Sequence, residues 1–249
     1  GAGAQGAAGP RYDEIDRATF NRFAARLNLP VYWASDADGD RAIDPAELAT
    51  LLFFPAGGPY VADGKATGAF AAAYEQIVAA SKPPAPPGPD AARIALLERE
   101  LDEAASVLVR TDMKTASADE KRFVKNMLEV TALVDELYSL QSGASTLAGK
   151  VAGDPASKSV FRRNWGPRCL TPKLEKDAAC TAAPGADKQT VDVYPAALQA
   201  DDGFCKRLEK EKNAKELLAP FTVVRQKEKA LVAVPYTEAY AAQMKPIAA

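Results

Sequence analysis

Apolar residues recur every three or four positions along much of the chain, which is the spacing of an amphipathic helix. The pattern predicts helices over 11–29, 68–81 and 91–110, and a longer one from Ser117 to about Leu140 that begins with a capping box. About six residues join the last two helices, so we expect them to pack antiparallel. Their predicted buried faces are Ile94, Leu97, Leu101, Ala105 and Leu108 in the third helix, and Phe123, Met127, Val130, Val134 and Leu137 in the fourth.

A β-pattern occurs near the C-terminus. Residues 221–225 and 230–234 are rich in β-forming side chains and are separated by the polar sequence QKEK. This arrangement predicts a hairpin, the only one expected in the chain. A polar helix over 206–218 precedes it, and Thr237 begins a short helix after it.

Residues 36–47, with the sequence DADGDRAIDPAE, interrupt the helical pattern with closely spaced acidic side chains. They match the EF-hand calcium loop D-x-[DN]-x-[DN]-G-x5-E at every position except the sixth. Calcium prefers several oxygen ligands at about 2.3–2.6 Å, which such a loop supplies. We therefore predict Ca²⁺ as a cofactor. The predicted ligands are the side chains of Asp36, Asp38, Asp40, Asp44 and Glu47 and the backbone carbonyl of Ala42.

The departure from the motif is Arg41, at the position where glycine normally makes a sharp turn. A left-handed backbone costs a residue with a side chain about 1–2 kcal/mol. The loop therefore either relaxes around Arg41 or binds calcium weakly, and a third interpretation is an acidic solvated turn without a metal. The absence of a second such loop predicts a structural site of modest affinity rather than a sensor.

The residues around the loop also fit a helix-loop-helix unit. Residues 20–27 predict an entering helix, and an exiting helix is indicated by helical spacing of Leu48, Leu51, Leu52 and Phe53, with Glu47 in its first turn. Tyr32 and Trp33 precede the loop, either as core residues or as an aromatic lid.

These elements together predict a mainly α fold, an irregular multi-helix domain with one EF-hand-like loop and a small β-hairpin near the C-terminus. The predicted organisation has four parts. They are a flexible tether at 1–10, an EF-hand-containing helical subdomain at 11–81, a Pro-rich linker at 82–89, and a region at 90–249 with a helical hairpin, a Cys-containing irregular segment and the β-hairpin.

Three cysteines are present. Cys169 and Cys180 bracket an irregular loop, and we predict that they form a disulfide of the kind that staples such loops in exported proteins. Cys205 would then be free or paired outside the chain, although its pairing with either of the other two remains open. No C-x-x-C pair indicates a zinc or thioredoxin-type site.

The 249 residues contain no histidine and carry a net charge of −2. A Ser-His-Asp triad, a His-ligated zinc site and a His general base are thereby excluded within this chain. The balanced charge predicts no nucleic-acid partner. No apolar run approaches the roughly 20 residues of a membrane helix.

The opening sequence GAGAQGAAGP is small and uncharged, which is typical of a flexible tether after a cleaved signal or a lipid-anchored cysteine. The alternative is a remnant of an expression leader. The tether interpretation predicts an exported protein that is periplasmic, an outer-membrane lipoprotein or extracellular. Membrane contact is then expected only through an N-terminal lipid.

A resemblance spans most of the chain. The segments 20–30, 161–167 and 234–240 resemble the N-terminal portion of large exported myxobacterial proteins, which are similar to the dipeptidyl peptidase III zinc metallopeptidases. That family carries an HExxGH helix and a second acidic zinc-ligand motif, and neither is present here. The resemblance implies a fragment or processed subunit of a larger protein, and it transfers no catalytic residue.

Three functions follow from these observations. The first is a calcium-binding, non-catalytic N-terminal portion or subunit of a larger exported peptidase-like protein, which packs against a second polypeptide or a downstream domain. The alternative is a self-contained calcium-stabilised binding or scaffold protein of the cell envelope. An enzyme complete in itself lacks any recognisable catalytic constellation, so whether the chain belongs to an enzyme is open.

Overall fold

The computed structural model describes residues 11–51, 58–82, 88–103 and 107–249. Its helices are α1 (Arg17–Arg26), α2 (Gly68–Ser81), α3 (Ala91–Glu103), α4 (Ala118–Gln141), α5 (Ala144–Leu147), α6 (Pro155–Asn164), α7 (Phe204–Leu208), α8 (Ala214–Leu217), α9 (Tyr236–Ala239) and α10 (Ala241–Ala248). Its strands are β1 (Val31–Trp33), β2 (Leu48–Thr50), β3 (Val61–Ala62), β4 (Lys65–Ala66), β5 (Thr222–Lys227) and β6 (Ala230–Pro235).

The fold is rich in helix, as predicted, and the predicted C-terminal hairpin is present as β5 and β6. It is not the only hairpin, because β1 pairs with β2 and β3 pairs with β4 in two further antiparallel sheets. None of the described helices is long and apolar enough to cross a membrane.

The chain forms two compact units. The first comprises the chain up to Arg110 together with Ala152–Arg162 and Arg168–Ala182, and the second comprises Thr111–Val151, Arg163–Pro167 and Ala183–Ala249. The predicted tether at 1–10 and most of the predicted linker at 82–89 lie outside the described residues. The predicted domain boundaries therefore remain predictions.

The first core of the first unit forms between α1, β1 and α2. Phe20, Trp33, Phe70 and Ile77 are completely or almost completely buried in it. Helix α1 is shorter than the predicted 11–29, because the Asp16 carboxylate accepts a hydrogen bond from the Thr19 N–H and caps the helix there. Its other end is set by Asn28, whose φ of 56° ends the helix.

The second core of this unit packs α3 against α6 beside a disulfide. Leu97 of α3 and Val160 of α6 are fully buried in this cluster, which also contains Cys169 and Cys180. These two cysteines form the predicted disulfide. Cys205 is free and exposed.

Helix α3 does not extend to Arg110 as the pattern predicts. It ends at Glu103 in the described residues, and the chain over 107–110 is not helical. Val107 and Val109 are 77% and 90% exposed, whereas Leu108 of the predicted stripe is half-buried and Ala105 lies outside the described residues. Helices α3 and α4 belong to different units, and their antiparallel pairing remains a prediction.

Helix α4 begins at the predicted capping box. The Glu120 N–H donates to the Ser117 hydroxyl, and the Glu120 carboxylate accepts from the Ser117 N–H at 2.7 Å. The predicted buried face is wrong, however, because no side chain of α4 is buried. Phe123, Met127 and Val134 are among the most exposed large apolar residues of the described chain. The helical period identifies an apolar face, but it does not determine what covers that face.

Candidate metal centre

The acidic loop lies between two strands rather than two helices. Strands β1 and β2 pair with Val31 opposite Thr50 and Trp33 opposite Leu48. The Ala34 N–H also donates to the Glu47 carbonyl at 2.9 Å, which continues the ladder towards the loop. The loop thus forms the end of a β-hairpin.

The predicted entering helix at 20–27 is present as α1, but the predicted exiting helix is wrong over the described residues, and its Leu52 and Phe53 lie outside them. Strand β1 separates α1 from the loop, and the predicted exiting helix is a single 3-10 turn, Pro45–Glu47, followed by β2. Pro30 prevents α1 from continuing into the loop, because proline disfavours the α conformation of the residue before it. Val31 and Trp33 are buried and Tyr32 between them is half-buried, which is the period-two pattern of a half-buried strand.

Three of the predicted ligands come together in this loop. Single carboxylate oxygens of Asp36, Asp38 and Asp40 all lie within 4.8 Å of one another. Two oxygens that each lie about 2.4 Å from one calcium ion can be at most about 4.8 Å apart, so this spacing is compatible with a shared ion. Asp36 is half-buried, while Asp38 and Asp40 are exposed.

Hydrogen bonds within the loop hold these carboxylates in place. The Gly39 N–H donates to Asp36 Oδ1 at 3.0 Å, and the Asp40 N–H donates to Asp38 Oδ1 at 3.1 Å. The Ala42 N–H donates to Asp40 Oδ1 at 2.7 Å. Asp38 and Asp40 each accept from the N–H two residues further along the chain, which is the hydrogen bond of an Asx turn. These local bonds curve the backbone so that the three carboxylates face one another.

Arg41 takes the backbone conformation for which the motif normally uses glycine. Its φ is 62°, in the left-handed region, and Gly39 nearby has a φ of 76°. The turn is therefore made despite the side chain, at a cost of about 1–2 kcal/mol. The Arg41 side chain is exposed, so nothing in the core opposes it.

Glu47 stands apart from the aspartate cluster and is buried, with 6% of its surface exposed. Its carboxylate accepts hydrogen bonds from Trp33 Nε1 at 3.1 Å, from the Ala37 N–H at 2.5 Å and from the Asp44 N–H at 3.3 Å. A buried carboxylate requires such donors, because an unpaired one is costly. In this arrangement Glu47 joins both ends of the loop to the core.

The two other predicted ligands are the Ala42 carbonyl and the Asp44 side chain, and the Asp44 side chain is not part of the cluster. Ala42 is buried and Asp44 is exposed. The Ile43 N–H donates to the Tyr12 carbonyl at 2.9 Å, which anchors this side of the loop to the chain before α1. Of the five predicted carboxylate ligands, the structure gathers Asp36, Asp38 and Asp40, and the Ala42 carbonyl remains a predicted ligand.

Sequence reasoning missed two neighbours of the site and left a third open. The Arg11 guanidinium lies 3.2 Å from Asp40 Oδ2 and pairs with Asp13 as well, and Tyr12 supplies the carbonyl at Ile43. Nothing in the local sequence indicates these contacts, because about 30 residues separate the partners. Trp33 is 1% exposed, so it is a core residue rather than a lid.

Comparison with protein-family models, with curated proteins and with solved structures gives no match to this chain. The resemblances to the EF-hand loop and to the peptidase-like exported proteins therefore remain predictions from the sequence, and no family is assigned.

Proposed function

We propose that this chain is a calcium-stabilised, non-catalytic module in which the loop over 36–47 binds one Ca²⁺ ion. The observation that carries the proposal is the convergence of the Asp36, Asp38 and Asp40 carboxylates within 4.8 Å. Carboxylates this close repel one another, and a bound cation replaces that repulsion with attraction. The left-handed backbone of Arg41 supports the same interpretation, since the motif requires it at that position.

The ligand assignment follows the motif. The three clustered aspartates would bind the ion first, and the Ala42 carbonyl and Asp44 would complete one side. Glu47 accepts hydrogen bonds from Ala37 and Asp44, so a ligand role requires its carboxylate to exchange one of these N–H donors for the ion. Because Glu47 also accepts from the buried Trp33 indole, calcium would be coupled directly to the core of the first unit.

A structural role is better supported than a signalling one. The loop connects two strands of a hairpin, and one of those strands supplies Val31 and Trp33 to the core. An ion that fixes the loop therefore stabilises the hairpin and the core behind it. In the described part of the chain α1 is followed by β1 and the loop by β2, so the loop is not directly flanked by two helices that an ion could reorient.

The wider biological setting is proposed from the sequence resemblance alone. There the chain is the N-terminal portion or a processed subunit of a larger exported peptidase-like protein, whose remaining part supplies any catalytic site. The exposed apolar residues of α4 support the existence of a partner. The alternative, a self-contained binding or scaffold protein of the cell envelope, is supported by the presence of a separate hydrophobic core in each unit.

Thermal unfolding with and without calcium tests the first proposal. Calcium at 100 times its Kd stabilises the folded state by about 2.7 kcal/mol. This corresponds to a rise in Tm of roughly 5–10 °C for a chain of this size. Chelation should reverse the rise, and millimolar calcium without effect on Tm would refute the proposal.

A pair of variants makes the test specific. Asp36→Asn combined with Asp38→Asn removes two charges from the cluster and should abolish the calcium response. Asp63→Asn is the matched control, because Asp63 is an exposed residue in the β3–β4 turn, outside the cluster. A calcium response that survives the double variant would place the ion elsewhere.

The proposal of a larger protein needs material from the native source. We would determine the mass of every polypeptide that co-purifies with this chain. A second polypeptide carrying an HExxGH motif would support the peptidase-like setting. A single species of about 26.4 kDa would favour the self-contained alternative.

A further inference from the structure

The Cys169–Cys180 disulfide closes a loop that noncovalent contacts hold at several further points. We define the cystine loop as residues 169–180. Both cysteines are buried in the second core of the first unit. The Cys169 N–H donates to the Cys180 carbonyl at 3.3 Å, and Arg168 and Thr181 form an antiparallel bridge just outside the pair. The two ends of the loop are therefore paired by their backbones as well as by the S–S bond.

The start of the cystine loop binds to Glu100 of α3. Glu100 Oε1 accepts from the Leu170 N–H at 2.9 Å, and Oε2 accepts from the Thr171 N–H at 3.1 Å and from the Thr171 hydroxyl at 2.5 Å. Glu100 is fully buried, and a carboxylate in a core depends on such donors. Hydrogen bonds to a charged acceptor are also stronger than neutral ones. Glu100 therefore fixes the two residues that directly follow Cys169.

The chain at the end of the cystine loop binds to Arg93 of the same helix. Arg93 Nη1 donates to the Thr181 carbonyl at 3.1 Å. The guanidinium is itself held by α6, where it donates to Asp154 Oδ2 at 2.8 Å and to the Ser157 hydroxyl at 2.7 Å. Arg93 is 9% exposed, so it is buried together with these partners. Arg93 therefore fixes the residue that directly follows Cys180.

The middle of the cystine loop is held by an apolar contact. Leu174 is 2% exposed and belongs to the same core cluster as Leu97 and Leu101 of α3. Arg93, Leu97, Glu100 and Leu101 are the buried residues of α3, and their spacing places them on one face of the helix. We call this the α3 face. It offers a cation, an apolar patch and an anion over about 12 Å, and the cystine loop binds to all three.

The spacing of the three cysteines does not by itself select this pair. Cys169 and Cys180 are 11 positions apart, whereas the exposed Cys205 lies 25 and 36 positions from them. The entropic cost of closing a flexible loop rises only with the logarithm of its length. An unfolded chain would therefore include Cys205 in about one third of its intramolecular disulfides. Selection of the Cys169–Cys180 pair thus requires contacts other than the loop length.

We propose that the α3 face is a noncovalent template that pairs Cys169 with Cys180 during oxidation and leaves Cys205 as the free thiol. In the reduced chain, Glu100 and Arg93 bind the backbone that follows each cysteine, and this brings the two thiols together. The template uses no residue of the acidic loop, so it is expected to act equally with calcium and with a chelator.

The oxidation itself proceeds by thiol–disulfide exchange with a small disulfide such as oxidised glutathione. The thiolate of one cysteine attacks this disulfide and displaces one glutathione thiolate. The second cysteine then attacks the mixed disulfide, which forms the protein S–S bond and releases the second glutathione. Two protein thiols are oxidised and one glutathione disulfide is reduced. Because both sulfurs are buried at the end, the first exchange takes place before the cystine loop is fully docked.

Oxidation of the complete reduced chain in a glutathione buffer tests the pairing. The remaining thiols are blocked with iodoacetamide, and the disulfides are located by mass spectrometry after digestion. In native buffer the wild type should form Cys169–Cys180 almost exclusively. In concentrated guanidinium chloride, Cys205 should occur in about one third of the intramolecular disulfides. A chain that pairs Cys205 as often in native buffer as in denaturant overturns the proposal.

The equilibrium constant for oxidation by glutathione tests the role of the α3 face. Docking of the loop and formation of the disulfide favour each other by the same factor, so weaker docking lowers this constant. Glu100→Gln preserves the shape of the side chain but removes the charge that its donors bind. It should lower the constant about tenfold in native buffer and leave it unchanged in denaturant.

Two further variants keep this test specific. Leu174→Ala removes the apolar contact of the cystine loop and should also lower the constant about tenfold or more, so it replaces Glu100→Gln if that variant does not fold. The matched control is Ile77→Ala, which opens a cavity in the first core of the same unit and should change the constant less than about twofold. Circular dichroism verifies that each variant is folded. A constant that the loop-contact variants leave unchanged overturns the proposal, and so does an equal fall in the control.

Discussion

The first unit contains two buried glutamates, Glu47 and Glu100. Both carboxylates accept several hydrogen bonds, but they connect different parts of the structure. Glu47 joins the acidic loop to Trp33, while Glu100 lies on α3 and accepts hydrogen bonds from the Leu170 and Thr171 N–H groups and the Thr171 hydroxyl. Glu100 is fully buried and Glu47 is 6% exposed. Both carboxylates are thus satisfied by donors, yet only Glu47 lies in a loop where other carboxylates converge.

The comparison shows that burial of a carboxylate does not identify a metal ligand. Glu100 connects α3 to the segment that leads into the disulfide-bonded loop, and its donors account for its burial without an ion. The case for calcium therefore depends on the cluster of Asp36, Asp38 and Asp40 and on the backbone of Arg41, and not on the buried glutamate. Variants of Glu47 and Glu100 should therefore distinguish a carboxylate whose effect on stability depends on calcium from one whose effect does not.

The largest effect is expected at Glu100. Glu100→Ala leaves two backbone N–H groups and a hydroxyl without their buried acceptor and should lower the free energy of unfolding by roughly 3 kcal/mol, with or without calcium. Urea unfolding measures the loss. The control is Glu75→Ala on the exposed side of α2, which should change stability by less than about 0.5 kcal/mol. A similar loss in both variants would show that the buried hydrogen bonds of Glu100 do not add to the free energy of unfolding beyond the effect of an exposed glutamate.

A smaller loss is expected for Glu47→Gln. The amide preserves the shape but weakens hydrogen bonds that a charged acceptor makes, so it should cost about 1 kcal/mol without calcium. It should also reduce the calcium response, unlike Glu100→Gln.

Trp33 provides a local reporter for this comparison. The chain has two tryptophans, so Trp165→Phe leaves Trp33 as the single emitter. Calcium should change Trp33 emission because the indole N–H donates to Glu47, and Glu47→Gln should weaken that change. If calcium changes the Trp33 emission equally with and without the Glu47→Gln substitution, Glu47 is not coupled to the ion.

The pH dependence of stability extends the comparison to Asp102 and Asp154, whose carboxylates are paired with arginine side chains. Burial alone would raise the pKa of Asp102, but hydrogen bonds from Arg26 and Arg22 outweigh it and lower this pKa below its usual 3.8. The pKa of Asp154 is lowered despite burial by hydrogen bonds from Ser157 and Arg93.

A folded-state pKa below the unfolded value contributes stability that is complete above the unfolded pKa, near pH 4, and is lost as the pH falls through the folded pKa. Asp102→Asn should therefore reduce stability at neutral pH and flatten its decline below about pH 4. Urea unfolding at a series of pH values measures this. An equally steep decline in the variant would contradict the assigned role of the Arg26–Asp102 pair.

The smallest effect concerns Arg11. Its guanidinium pairs with Asp40 at an exposed position and competes with a cation for that carboxylate. Arg11→Ala should lower the calcium Kd by about threefold, since exposed ion pairs contribute less than about 1 kcal/mol. Calorimetric titration measures this, and Arg17→Ala, which changes an arginine outside the aspartate cluster, is the control. Weaker calcium binding in Arg11→Ala would mean that Arg11 supports the site rather than competing with it.

Much of the local structure was predictable from the sequence. The Ser117–Glu120 capping box, the Cys169–Cys180 disulfide and the C-terminal hairpin were all predicted and are present. Of the predicted flanks of the loop, the entering helix is present as α1, whereas the exiting helix is wrong because Leu48–Thr50 pair with β1 as a strand. A run of three residues such as Val31–Trp33 carries too little periodicity to distinguish a strand from a helix.

The sequence by itself determined the contacts between residues that are close together along the chain. Asp36, Asp38 and Asp40 converge because alternate spacing and Asx turns bring them together within five residues. The tertiary structure alone decided that Glu47 accepts from a buried tryptophan, that Glu100 holds a segment 70 residues away, and that no side chain of α4 is fully buried. The reason is that local contacts follow from covalent spacing, whereas distant ones depend on which elements pack together, and periodicity gives each element a face but not a partner.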